Sequence, residues 1–158
     1  MDIVLTVNGE RRQVAAPPAT PLLDVLRHRL GLFGSRYGCG LEQCGSCTVL
    51  VDGEPVYACT REIGTLDGKS VTTVEGLGTA GQPHPLQQAF LDEQAGQCGY
   101  CLSGVVMSAK ALLDRTPEPS RAEIVAALDR HLCRCGAHQR ILRAVERAAR
   151  TLRAGRAA

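Results

Sequence analysis

Eight cysteines in 158 residues fall into two sets of four. Cys39, Cys44, Cys47 and Cys59 lie in the first half, and Cys98, Cys101, Cys133 and Cys135 in the second. Four thiolates brought together can bind zinc or an iron–sulfur cluster, and in an oxidising compartment cysteines pair as disulfides. The first residues, Met1-Asp2-Ile3-Val4-Leu5-Thr6-Val7, show no basic segment followed by a long apolar stretch, and no run is long enough to span a bilayer. No secretory signal and no membrane insertion are therefore expected. The expected location is cytoplasmic, with export beside a signal-bearing partner left open. In a reducing cytosol an even cysteine count points to metal or redox chemistry.

The first set reads C-x4-C-x2-C with its fourth cysteine further along, the spacing of a plant-type [2Fe-2S] ferredoxin. Three thiolates must come from one loop folded round the cluster, while the fourth approaches from elsewhere. Gly38, Gly40 and Gly45 supply the backbone freedom so tight a loop needs, and let N–H groups turn toward an anionic cluster. Zinc more commonly takes two short cysteine pairs and fits this loop poorly. The second set is a CxxC (Cys98, Cys101) and a CxC (Cys133, Cys135). Those spacings alone leave a zinc site and an iron–sulfur site both open.

The elements that must position these cysteines change character midway. Residues 2–7 alternate apolar and polar as a half-buried strand does, and Asn8-Gly9 signals a hairpin into a second strand ending near Ala15. Thr20-Pro21 reads as the N-cap and first position of a helix with Leu22, Leu23, Val25 and Leu26 on its apolar face. Thr48–Val51, the turn at Asp52-Gly53, the turn at Asp67-Gly68 and Val71–Val74 complete a strand-rich half. Gly76, Gly78, Gly81, Pro83 and Pro85 mark a linker, after which apolar residues recur at helical spacing. Ser120 and Glu123 form a capping box, and Ile141 to Leu152 line one face of a last helix. The expected organisation is α+β: a β-grasp plant-type ferredoxin domain at 1–75, a linker at 76–85 and a four-helix bundle at 86–155.

Composition narrows the function. Two small cores built with 3% aromatic residues and no Trp would benefit from metal staples. The formal charge of +2 counts thiols as neutral. Two oxidised four-thiolate clusters would bring it to roughly −2, so the basicity is no argument for nucleic-acid binding. His28, His84, His131 and His138 read as surface or helix-end residues, since eight cysteines already satisfy two clusters. Arg140, Arg143, Arg147 and Arg150 read as a solvated basic face, or as a surface for an acidic partner. No Ser/His/Asp constellation, phosphate loop or dinucleotide fingerprint is evident, so no catalytic residue is expected.

Three segments in order, Tyr37-Gly-Cys-Gly-Leu-Glu-Gln-Cys-Gly-Ser-Cys-Thr48, Gln97-Cys-Gly-Tyr-Cys101 and Leu132-Cys-Arg-Cys-Gly136, with Thr73-Val-Glu-Gly-Leu77 at the junction, carry a specific resemblance. From Ile3 to about Leu152 the chain resembles the iron–sulfur subunit of the molybdenum hydroxylases, the xanthine dehydrogenase and aldehyde oxidoreductase family. The resemblance implies that all eight cysteines bind two [2Fe-2S] clusters. It implies a large partner subunit that holds the molybdopterin cofactor and oxidises a heteroaromatic ring or an aldehyde. Electrons would pass to the helical-half cluster, then to the ferredoxin-half cluster, then to a cytochrome or an FAD-containing acceptor. Gln97 and Cys135 would contact the pterin, Gln97 as a hydrogen-bonding amide and Cys135 as the ligand through which electrons arrive. Leu102-Ser103-Gly104 looks like the isoquinoline and nicotinate oxidoreductase branch, where other relatives have Thr-Pro-Gly. Glu42 replaces a common Gly, so that turn is expected to differ locally, and His131 replaces a common Asn. The other functions considered are a free-standing two-cluster ferredoxin and a zinc-holding interaction module.

Overall fold

Two tight hairpins organise the first half of the computed structural model, which describes residues 2–157. Asn8 and Gly9 both take positive φ, 51° and 83°, as the mirror-image turn between twisted strands requires. They join β1 (Asp2–Val7) to β2 (Glu10–Ala15). Asp52 and Gly53 do the same between β3 (Thr48–Val51) and β4 (Glu54–Tyr57). With β5 (Ser70–Thr72) these form one sheet in the order β2-β1-β5-β3-β4. The central β1–β5 pair is parallel and the sheet's other pairs are antiparallel. Ile3, Leu5 and Val7 alternate into the core, as a strand with one covered face must.

That face is covered by α1 (Leu22–Asp24), which continues directly into a π-helical turn, Val25–Arg29. Leu22, Leu23, Val25 and Leu26 are all buried there. The start of α1 differs from the expectation. Thr20 makes no capping bond; Pro21 is the N-cap and bridges to Glu62, while the Leu22 amide donates to the Arg61 carbonyl at 2.7 Å. Tertiary pairing with the 61–63 segment outweighs the local cap, because it satisfies the same orphan backbone groups.

The second half is helical: α2 (Pro85–Asp92), α3 (Leu102–Arg115), α4 (Arg121–Leu128) and α5 (His138–Ala157). The expected box at α4 forms, with the Glu123 carboxylate accepting from the Ser120 amide at 2.7 Å. A second box, not anticipated, starts α2: the His84 amide donates to Gln87 Oε1 at 2.9 Å, and His84 Nδ1 accepts from the Leu86 amide at 3.1 Å. The glycines and prolines before Pro85 therefore end in a firmly capped helix. Leu86, Val105, Ala109, Leu113, Ile124, Ile141 and Val145 fill the core between these helices.

Two of the four arginines on the basic face of α5 are paired within the chain. Arg147 pairs with Asp92 at 2.8 Å, and Arg143 reaches Glu93 at 3.3 Å. Such exposed pairs contribute at most ~1 kcal/mol each, but they reduce the charge available to an acidic partner. The two halves meet where α3 lies across β3. Leu50 packs there against Met107 and Ala111, each at most 4% exposed, with Val74 and Leu77 at the margin.

Candidate metal centres

The loop between α1 and β3 wraps its backbone round sulfur. The Leu41 and Gln43 amides donate to Cys39 Sγ at 3.3 and 3.2 Å, and the Cys39 amide donates to Cys44 Sγ at 3.4 Å. The Leu41 and Gln43 amides hold the Cys39 thiol down at about 7, as hydrogen bonds to the charged form do. A Cβ on Gly38 would come within 2.6 Å of Cys44 Sγ, so the cradle closes only round a bare backbone. Glu42, at the top of the loop, has φ +59°. It takes a left-handed conformation, one that favours glycine. Its side chain is anchored, accepting a short hydrogen bond from Thr60 Oγ1 next to Cys59.

Cys47 precedes β3 and Cys59 follows β4, so one hairpin delivers both, the Ala58 amide donating to the Cys47 carbonyl at 3.3 Å. Both are buried, and burial with the neighbouring Cys59 sulfur pushes the Cys47 thiol up to about 12. In the second half Cys101 is the N-cap residue of α3, and Cys133 and Cys135 lie in the segment between α4 and α5. Burial raises the Cys101 thiol to about 12, aided by the charge of Cys133. The Tyr100 amide, 3.5 Å from Cys98 Sγ, lowers Cys98, assisted by the Cys135 thiol.

The sulfurs thus approach one another in twos: Cys39 with Cys44, Cys47 with Cys59, Cys98 with Cys135, and Cys101 with Cys133. Among the described residues, no three His, Cys, Asp or Glu side chains converge as a site for a single metal ion. Sulfur pairs suit a two-iron cluster, in which each iron takes two protein ligands, better than a tetrahedral ion. All eight cysteines are free of disulfides.

Comparison with known proteins agrees. Residues 5–74 match the 2Fe-2S iron-sulfur cluster binding domain, and residues 73–146 match the [2Fe-2S] binding domain. The chain is 56% identical to a nicotinate dehydrogenase subunit of Pseudomonas putida over 96% of both chains. It is 48% identical to the alpha subunit of isoquinoline 1-oxidoreductase from Brevundimonas diminuta, over 94% of this chain and 97% of that one. The chain belongs to the iron–sulfur subunits of the molybdenum hydroxylases. Its fold superposes on quinoline 2-oxidoreductase from Pseudomonas putida 86 with a TM-score of 0.92 at 37% identity, covering 98% of this chain and 97% of that one. It also superposes on the aldehyde oxidoreductase of Desulfovibrio desulfuricans with a TM-score of 0.94 at 42% identity, covering 97% of this chain but 17% of that one.

In this iron–sulfur subunit the two cysteine regions are built against each other. The Leu132 amide donates to the Cys44 carbonyl at 3.1 Å, and Ser103 Oγ donates to the Ser46 carbonyl at 3.3 Å. The Tyr100 hydroxyl, between Cys98 and Cys101, donates a short bond to the Tyr37 carbonyl, and Arg36 lies over the Tyr100 ring. A side chain on Gly104 would run into the Gly45 carbonyl. Sequence reasoning missed Gly104 as a contact residue. Its signal was a glycine inside a helical pattern, which costs ~1 kcal/mol relative to Ala and so demands a packing reason. His131, expected at a surface or helix end, is instead only 7% exposed. Its pKa falls to about 4 through burial and the neighbouring Arg130, so the ring is neutral.

Gln97 and Cys98 are exposed, while Cys135 is half-buried. Phe33, Tyr37, Leu41, Tyr100 and Leu132, all large and exposed, occur in or beside the cysteine segments.

Proposed function

We propose that this chain relays electrons within a molybdenum hydroxylase, with Cys39, Cys44, Cys47 and Cys59 holding one [2Fe-2S] cluster and Cys98, Cys101, Cys133 and Cys135 the other. The observation that carries this reading is two complete four-sulfur sets, each resolved into two pairs, on loops hydrogen-bonded to one another. When bound, the clusters supply one-electron chemistry. The chain's own part is to ligate them, donate amides to sulfur and bury Cys47, Cys59 and Cys101, levers that tune potential. Residues 1–75 act as a β-grasp ferredoxin domain, 76–85 as a linker and 86–155 as a helical domain. The substrate chemistry belongs to a large molybdopterin-binding partner, and a cytochrome or FAD-containing protein takes the electrons away. The apolar side chains exposed beside the cysteines support such docking, because patches of this kind mark interfaces. No helix among the described residues is long and apolar enough to cross a membrane. A cytoplasmic site of action is part of the same proposal.

The purified chain is expected to contain about four iron and four acid-labile sulfide per polypeptide, two of each per cluster. Zinc in their place, with little sulfide, would refute the reading.

Gln97 and Cys135 are proposed to meet the pterin of the partner. An amide donates and accepts at once, which suits a pterin edge that offers both. Gln97→Leu keeps similar bulk but strands partner groups at a buried interface, a cost of about 1–3 kcal/mol. It is expected to weaken binding to the molybdenum subunit or slow cluster reduction by substrate in the complex, with iron content unchanged. Binding and reduction rate both at wild-type values would make Gln97 a loop residue only.

A further inference from the structure

Of the four histidines only His131 is fully buried, and it lies two residues before Cys133. Its Nε2 is 2.7 Å from Ser108 Oγ on α3, and Ser108 is itself buried. The other face of the ring occupies the space that a Cβ on Gly45 would fill, with Nδ1 as the nearest atom. Gly45 stands between Cys44 and Cys47, and the amide of the next residue after the histidine, Leu132, holds the Cys44 carbonyl. The ring is therefore packed between α3, the first cysteine loop and the backbone that leads to Cys133. Its Nδ1 is buried against the Gly45 backbone, with a weak contact to it at most and no hydrogen bond of normal geometry. An apolar side chain would fill this space without that penalty.

We propose that His131 is a positioning residue that sets the separation of the two cysteine loops, and with it the electronic coupling between the clusters they hold. The inference rests on the two-cluster reading above. Electron tunnelling and magnetic interaction between two centres both weaken steeply with distance. Transfer between the sites moves one electron, oxidising the donor and reducing the acceptor with no bond made or broken. A displacement of the Gly45 loop therefore changes rate and magnetic coupling together while each cluster keeps its own four ligands.

The test uses the whole chain with both clusters, alone and in complex with its molybdenum subunit. His131→Ala is expected to retain wild-type iron and both EPR signals. The splitting from magnetic interaction between the two reduced centres should diminish, and inter-cluster transfer should slow about tenfold. His131→Gln, whose amide can reach Ser108 as the ring nitrogen does, is expected to restore most of both. Met107→Ala, in the same interface but away from the loops, is expected to lower thermal stability and leave the splitting unchanged. Unchanged splitting and rate in His131→Ala would overturn the proposal. So would the same loss in Met107→Ala, because general loosening of the interface would then account for it. If His131→Ala does not fold, His131→Leu takes its place: it keeps the bulk, and wild-type splitting there would show that the Ser108 bond is dispensable and overturn the role of the imidazole. Absence of two iron–sulfur signals from the wild-type protein would instead sink the two-cluster reading, a separate outcome.

Discussion

Gly104→Ala is expected to destabilise the protein by ~3 kcal/mol or more, at the top of the range for overpacking. Intrinsic propensity argues the other way, since Gly→Ala within a helix gains about 1 kcal/mol. The junction decides the sign. A methyl group on Gly104 would meet the Gly45 carbonyl and crowd the Ser46 Cα, backbone on both counts, so no side chain can swing aside. The strain can be relieved only by lifting α3 from the cysteine loop. That breaks the bonds from Ser103 to Ser46 and from Leu132 to Cys44 and opens the Leu50–Met107 contact. Denaturant unfolding should therefore show a lower midpoint. The magnetic interaction between the two reduced clusters should fall with it. A variant as stable as the wild type, or more so, would mean that the two halves tolerate a wider separation.

Removing single ligands should have the largest effect on content. Cys44→Ala is expected to abolish the first cluster, leaving about two iron per chain and one of two reduced EPR signals. Cys101→Ala is expected to do the reverse. The physical basis is that each set is anchored in a separate core, Cys47 and Cys59 under the sheet and Cys101 with Cys133 among the helices. The backbone carbonyl of residue 44, which receives the Leu132 amide, survives the first change. Loss of both signals from either variant, with circular dichroism unchanged, would show that the sites assemble as one unit. Taken with Gly104→Ala, the pair separates two properties of the junction: whether each cluster needs its neighbour to form, and whether it needs it to exchange electrons.

Much of the molecule was legible in the chain because the signals are local. The Asn8-Gly9 and Asp52-Gly53 turns adopt the positive φ values their types favour, and Ser120 and Glu123 cap α4 as their spacing requires. The spacing of Cys39, Cys44 and Cys47 fixes three sulfurs within one loop whatever surrounds it. Thr20 misled, because the choice between a side-chain cap and pairing with residues 61–63 depends on a segment far along the chain. Tertiary structure alone decided which sulfurs pair across long separations, such as Cys98 with Cys135. It alone turned His131 inward and set Gly104 against Gly45. The physical reason is one of range. Turns, caps and ligand loops are governed by dihedral preferences and hydrogen bonds within a few residues. The approach of two loops from different halves is governed by steric fit and the burial of α3 on β3, which no window of sequence contains.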